Sequence, residues 1–286
     1  MDLQTNHNAP MTRWAAASGA LKSRMTLVDV GVQGGPQERW LALGDALEVH
    51  GFDALPAAIA ALKPGAHHHY YAMALGARRG TATLHVAPDP CGSSLYDHSD
   101  GRPKLEIEVE TLDHLFEAGI LPPADFIKLD CEGYEPEVLK GAAKYLEASC
   151  LLGAEVETSF NTSVVLRQTH FWGTYEHLIG HGLLLFDLDF DRYKRPSFPG
   201  ANTMARPSTF EILFARDFTN ERYDPSAYAK PFAKFSPEAV LKSAIMFEVY
   251  GMTDVAYDIL LKFRDELGGT LDVDHALALL VESGPS

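Results

Sequence analysis

The stretch Leu27-Val28-Asp29-Val30-Gly31-Val32-Gln33-Gly34-Gly35-Pro36 limits the fold of this chain more than any other. A short β-branched run enters a glycine-rich turn, and Pro36 stands where a helix can begin, since its missing N–H costs nothing in a first turn. Glycine accepts positive φ and lets a ligand approach without meeting a β-carbon. At the carboxyl end of a central parallel strand, such a turn is where open α/β sheets bind ligands. The spacing is Asp-x-Gly-x-x-Gly-Gly, with Asp29 in the place of the first glycine of the dinucleotide fingerprint. A carboxylate there suits an ammonium or hydroxyl better than a pyrophosphate, and so favours S-adenosylmethionine. Gly31, Gln33 and Gly34 are the further cofactor contacts of this turn.

The chain alternates strands and helices, the pattern of a mostly parallel sheet covered on both faces. Strands are expected at about 26–31, 47–53, 67–75, 81–86, 106–113, 126–130, 151–157, 183–190 and 209–215, the strand at 81–86 pairing back on 67–75 as a hairpin. A helix is expected through Arg39, Trp40, Leu41 and Leu43, and another at Phe171 to Gly180. The last two strands follow one another without a helix, which suggests an antiparallel edge hairpin. Their connection, Tyr193 to Pro207, is long enough to serve as a lid. Ser236-Pro237-Glu238 opens a capped helix, and two or three helices follow. The organisation is an N-terminal helical extension (1–24), a ligand-binding domain (25–220) and a C-terminal helical appendage (221–286). The final helices either pack on the domain or form a homodimer.

Asp53 follows Asp29 by about two dozen residues, the spacing at which α/β nucleotide sites place an acid on ribose hydroxyls; it also suits a simple turn cap. His67-His68-His69 does not read as a metal site, because neighbouring strand residues point to opposite faces. The formal net charge of −15 disfavours nucleic acid and anionic membrane surfaces. No apolar run approaches the roughly 18 residues of a membrane span. Three cysteines without paired ligand spacing, and no signal-like start, lead to the expectation of a cytoplasmic protein.

Phe126-Ile127-Lys128-Leu129-Asp130-Cys131-Glu132-Gly133-Tyr134-Glu135, followed by Pro136-Glu137-Val138-Leu139-Lys140-Gly141-Ala142, closely resembles the hallmark of the FkbM family of methyltransferases. Val28 to Gly31, Ala74-Leu75-Gly76, Ser93-Ser94-Leu95 and the late Glu157 fall in the order that the family leads one to expect, so the resemblance spans about residues 26–217. Val32-Gln33 and Asp53-Ala54 depart from the usual Ala-Asn and Glu-Pro. The resemblance implies a class I, Rossmann-like methyltransferase fold: a seven-stranded, mostly parallel sheet with helices on both faces and an antiparallel edge hairpin, plus C-terminal helices. It also implies S-adenosylmethionine as cofactor, Ala74 and Leu75 among its contacts, and transfer to a hydroxyl of a small molecule, sugar or glycan.

A hydroxyl is a weak nucleophile and needs a base or a metal ion. Asp130, at a strand end beside the cofactor strand, is a candidate for both cofactor binding and catalysis. Glu132, Glu157 and His170 are the other catalytic candidates, with helix capping the alternative for Glu132. If Asp130 and Glu157 converge, they could hold a Mg²⁺. Two rival functions remain. A nicotinamide-dependent oxidoreductase is disfavoured by Asp29 and by the absence of a lysine four residues after any of the eleven tyrosines. A non-catalytic cofactor-binding or assembly protein would act through the C-terminal helices.

Overall fold

The computed structural model describes residues 8–97, 99–149, 151–159, 171–195, 197–200, 203, 205–219 and 236–282. Helix α1 (Pro10–Ser18) precedes β1 (Met25–Val30), and a 3-10 segment (Glu38–Ala46) leads to β2 (Leu47–Asp53). Then come α2 (Pro56–Ala61), β3 (His68–Ala72), β4 (Ala74–Leu75), β5 (Gly80–His85), β6 (Lys104–Glu110) and α3 (Leu112–Glu117). The central strand β7 (Phe126–Leu129) is followed by α4 (Glu135–Lys140), α5 (Ala143–Ala148) and β8 (Gly153–Thr158). Helix α6 (Phe171–Gly180), β9 (Leu184–Tyr193), β10 (Arg206–Ala215), α7 (Pro237–Val249), α8 (Thr253–Lys262), α9 (Arg264–Leu267) and α10 (Val273–Glu282) complete the order.

Seven strands form one sheet in the order β3-β2-β1-β7-β8-β10-β9. The first five run parallel, and β10 enters antiparallel between β8 and β9. This is the class I methyltransferase fold, with its antiparallel edge. Chain order reverses between β1 and β7, so a crevice opens at their carboxyl ends.

Two expectations are corrected. The segment after the glycine turn is 3-10 rather than α-helical, because Gly44 (φ 53°, ψ −127°) breaks it and β2 begins at once. Strand β5 pairs with β6, not with the strand before it: Gly80 to His85 run antiparallel to Val109 to Lys104. Ala74 and Leu75 leave the main sheet to pair parallel with Val109 and Glu110, which makes a separate three-stranded sheet.

Alternating side chains of the parallel strands feed two cores, as a pleated sheet requires. Val28, Val30, Ile127, Leu129 and Val156 pack beneath α3 to α6. On the other face, Leu27, Val49 and Phe126 meet Trp40 and helices α1, α7, α8 and α10. The C-terminal helices therefore pack on the domain. Ser236 caps α7 by accepting from the Ala239 amide, and Glu248 near its end accepts from the Met11 and Thr12 amides and the Thr12 hydroxyl (2.6–3.0 Å). No helix among the described residues is long and apolar enough to cross a membrane.

Candidate active site

Val30 ends β1, and the chain turns at Gly31 with φ 91°. A β-carbon at Gly31 would fall 1.8 Å from the carbonyl oxygen of Asp130, so only glycine lets the β1 turn pass the end of β7. Gly34 and Gly35 also take positive φ, and this carries the backbone away from the sheet.

Strand register sets the charges. Asp29 on β1 lies opposite Lys128 on β7, which lies opposite Glu155 on β8. One step towards the crevice come Asp130, Glu157 and, paired with Glu157, Glu211 on β10. Lys128 is only 7% exposed and donates to Oδ2 of Asp130 at 2.7 Å. Burial alone would push its ammonium down, but the carboxylates of Asp130, Asp29 and Glu155 hold it above its ordinary value. Beneath this row, Glu155 accepts from Tyr250 Oη and Gln37 Nε2, each at 2.6 Å, which ties the sheet to the end of α7.

Acids outnumber cations here, and burial raises them. The Asp29 carboxyl is pushed up to about 7 by its complete burial, which Lys128 only partly offsets. Its Oδ1 has no hydrogen-bond partner among the described residues. Glu132 rises to about 7 by burial and the nearby Asp130 charge. Glu157 rises to about 9 through burial, then Asp130, Glu135 and Glu132. Glu211 rises to about 7 by burial and Glu155.

The crevice is a cavity of about 280 Å³. Gly31, Gln33, Asp53, Ala74, Leu75, Asp130, Glu132 and Glu157 line it. Asp29 lies beneath the turn rather than in the wall, and Gly34 faces a separate groove against α2. Asp53 spends Oδ1 on the Leu55 amide (2.7 Å), so turn cap and cavity wall coincide in one residue. His170 lies outside the described residues.

The two acids after Asp130 divide their work. Glu135 braces the turn before α4 rather than capping the helix: its Oε1 accepts from the amides of Cys131 (2.8 Å) and Gly133 (3.1 Å). Glu132 adopts φ 57°, a left-handed conformation costly for a residue with a β-carbon. Ser94 Oγ fixes it by donating to its carbonyl at 2.9 Å. Glu132 lines the cavity, and its carboxyl accepts no hydrogen bond from the described residues.

A Mg²⁺ on Asp130 and Glu157 gains no support, because the Lys128 ammonium already occupies Oδ2 of Asp130. Lys128 joins the site although the sequence marks it only as a lysine inside the apolar run Phe126-Ile127-Lys128-Leu129, opposite an acid in the β1–β7 register. Glu211 joins it too, and its place beside Glu157 depends on the antiparallel pairing.

The sequence profile of the methyltransferase FkbM domain matches residues 37–181, just over half of the chain. The chain belongs to the FkbM methyltransferase family. The matched stretch of this FkbM-family chain runs from the 3-10 segment to the end of α6 and holds Asp53, Asp130, Glu132 and Glu157. The glycine turn lies just before it. No curated protein matches the chain significantly. Among solved structures, it is similar to magnesium protoporphyrin IX methyltransferase from Synechocystis with bound SAM (12% identity, 74% of this chain, 80% of that chain, TM-score 0.36). The N-methyltransferase NodS from Bradyrhizobium japonicum is a second (9% identity, 72% and 92%, TM-score 0.37). A third is TehB from Haemophilus influenzae (11% identity, 71% and 61%, TM-score 0.35). At these identities the likeness is one of fold.

As a member of the FkbM family, the chain is an S-adenosylmethionine-dependent methyltransferase. The crevice fits that cofactor. A buried Asp29 carboxyl oxygen with no hydrogen-bond partner among the described residues lies beneath the glycine turn, and Asp53 and Asp130, at the ends of β2 and β7 in the cavity wall, suit a cationic, hydroxyl-bearing molecule.

Proposed function

We propose that this FkbM-family enzyme methylates a hydroxyl oxygen of a sugar, glycan or secondary metabolite, with Glu132 as general base. The observation that carries the reading is Glu132 itself. Glu132 borders the cavity on a strained backbone, and burial and the Asp130 charge push its carboxyl up to about 7, where a base can take a proton and still be free at neutral pH.

S-adenosylmethionine, when bound, supplies an already activated methyl group. The remaining task is to align an oxygen and remove its proton. Gly31 and Gln33 bind one end of the cofactor, and Asp53 takes the ribose with its second oxygen. Ala74 and Leu75 form the apolar wall. Asp130, held by Lys128, would keep negative charge in the crevice wall for a cationic cofactor. Glu157, protonated at neutral pH, donates a hydrogen bond to the acceptor. Glu132 takes the acceptor proton into its carboxylate as the oxygen–methyl bond forms.

The test is incubation with S-adenosylmethionine carrying a ¹³C-methyl group, against matched panels of hydroxyl and amine acceptors. NMR then reads the new methyl shift. An O-methyl product supports the proposal, and a product methylated only on nitrogen or carbon overturns it.

A further inference from the structure

A second set of convergent side chains lies away from the crevice, in the amino-terminal half of β2. Glu48 and His50 are two residues apart and so share a face of the sheet. On the edge strand β3, His69 is the register partner of His50. Glu48 Oε1 lies 3.2 Å from His50 Nε2 and 3.9 Å from His69 Nε2, and the two imidazoles stack with centroids 4.8 Å apart. Among the described residues, this is the group of three metal-ligating side chains whose donor atoms all lie within 4.8 Å of one another.

We propose that Glu48, His50 and His69 form a binding site for a zinc-class divalent transition ion. Metal–nitrogen and metal–oxygen bonds of about 2 Å in a tetrahedron put donor atoms about 3.3 Å apart. The Glu48–His50 distance already meets that, and the Glu48–His69 distance exceeds it by little. Imidazole with carboxylate is the donor set that such ions accept. The other nitrogen of His50, Nδ1, lies 3.3 Å from Tyr71 Oη, and that hydrogen bond orients the ring. The His69 side chain is half exposed, against 4% for His50, and gives the ion a way in. A fourth position is left for water.

Adjacent histidines do not compete. His67 Nε2 lies 2.9 Å from Arg24, and His68 Nδ1 lies 3.1 Å from Tyr70 Oη. The site therefore takes one histidine of the triplet and completes it across the strands. A bound ion would pin β3 to β2 just before the chain reaches Met73, Ala74 and Leu75 in the cavity wall.

The experiment uses the full chain without a histidine tag, stripped with a chelator. Co²⁺ is titrated by its visible d–d absorption, Zn²⁺ competes, and thermal melts are run with and without Zn²⁺. A single equivalent of Co²⁺ displaced by Zn²⁺, and a Tm raised by Zn²⁺, are expected. His69→Ala, at the exposed ligand, should weaken binding by more than the roughly 10–100-fold that loss of an outer-shell partner costs. Its metal-free Tm should stay at the wild-type value. His67→Ala should bind as wild type does. Absence of a d–d band in the wild type, undiminished binding by His69→Ala, or loss of binding in His67→Ala would each overturn the site.

Discussion

Gly31 passes so close beneath Asp130 that the β1 turn and the end of β7 form one object: the glycine has no side chain, and the carbonyl oxygen of Asp130 fills the space where one would be. Substitution must push the turn off the strand. Gly31→Arg should abolish binding of S-adenosylhomocysteine, measured by calorimetric titration, while Gly35→Ala, whose β-carbon would only graze Leu62 and whose cost is the backbone strain of its positive φ, should weaken it less.

Glu132→Gln should lower kcat by about 10²–10⁴-fold, the usual worth of a general base. In the wild type, kcat/KM should rise with pH and level off above about 7, since the base works only when deprotonated. The variant should lose that ascending limb. A pH–rate profile that keeps it would remove Glu132 from the role. By contrast, Glu157→Gln replaces a group protonated up to about 9 with a neutral isostere and should keep most of the activity at pH 7.

The same carboxyls set a pH dependence of stability. Asp29, Glu132, Glu135 and Glu211 are raised to about 7 in the folded chain, so each holds its proton to higher pH than when unfolded. Their contribution is fully present below the unfolded carboxyl value and is lost as pH rises through about 7, and for Glu157 through about 9. The part of the ligand-free Tm that these groups control should fall from pH 5 to pH 8. Glu157→Gln should flatten the decline between pH 7 and 9 in a melting series.

Lys128 is the buried cation among Asp29, Asp130 and Glu155. Lys128→Met leaves the Asp130 carboxylate without its 2.7 Å partner. Breaking a fully buried pair from one side costs about 3–5 kcal/mol, and the 34% exposure of the Asp130 side chain lets solvent screen part of that. Urea unfolding should show a loss below that range, and Tyr250→Phe, which removes one hydrogen bond to Glu155, a loss of about 1.5–3 kcal/mol.

Much of this architecture is legible in the sequence because apolar runs bounded by glycine, proline and acids mark the strands. Val28-Asp29-Val30-Gly31 and Phe126 to Asp130 announce the two strands that flank the crevice. What the pattern omits is pairing. Thr81 to Val86 alternates well enough for a hairpin, but its partner is β6, because Ala74 and Leu75 have crossed into the second sheet. Trp40 and Leu43 occupy spacing that suits an α-helix as well as a 3-10 segment, and Gly44 decides between them. Lys128 and Glu211 become site neighbours only through cross-strand register, which no single stretch encodes. Glu132 and Glu135 look interchangeable as caps until the backbone at Glu132 turns left-handed and sends only Glu135 back to the amides.

The clasp between Glu248 and the first turn of α1 joins residues 236 and 237 positions apart. One whole face of the sheet, with the underside of the Asp29–Lys128–Glu155 row, is roofed by α1 together with helices distant from it in sequence. Helix α1 can meet the nearby 3-10 segment early, but its contact with Glu248 closes only once α7 is made. Such distant closure makes for slow, late folding. Until α7 arrives that apolar sheet face stays open to water, whereas every residue that lines the cofactor crevice, from Val30 to Glu157, precedes α7 in the chain.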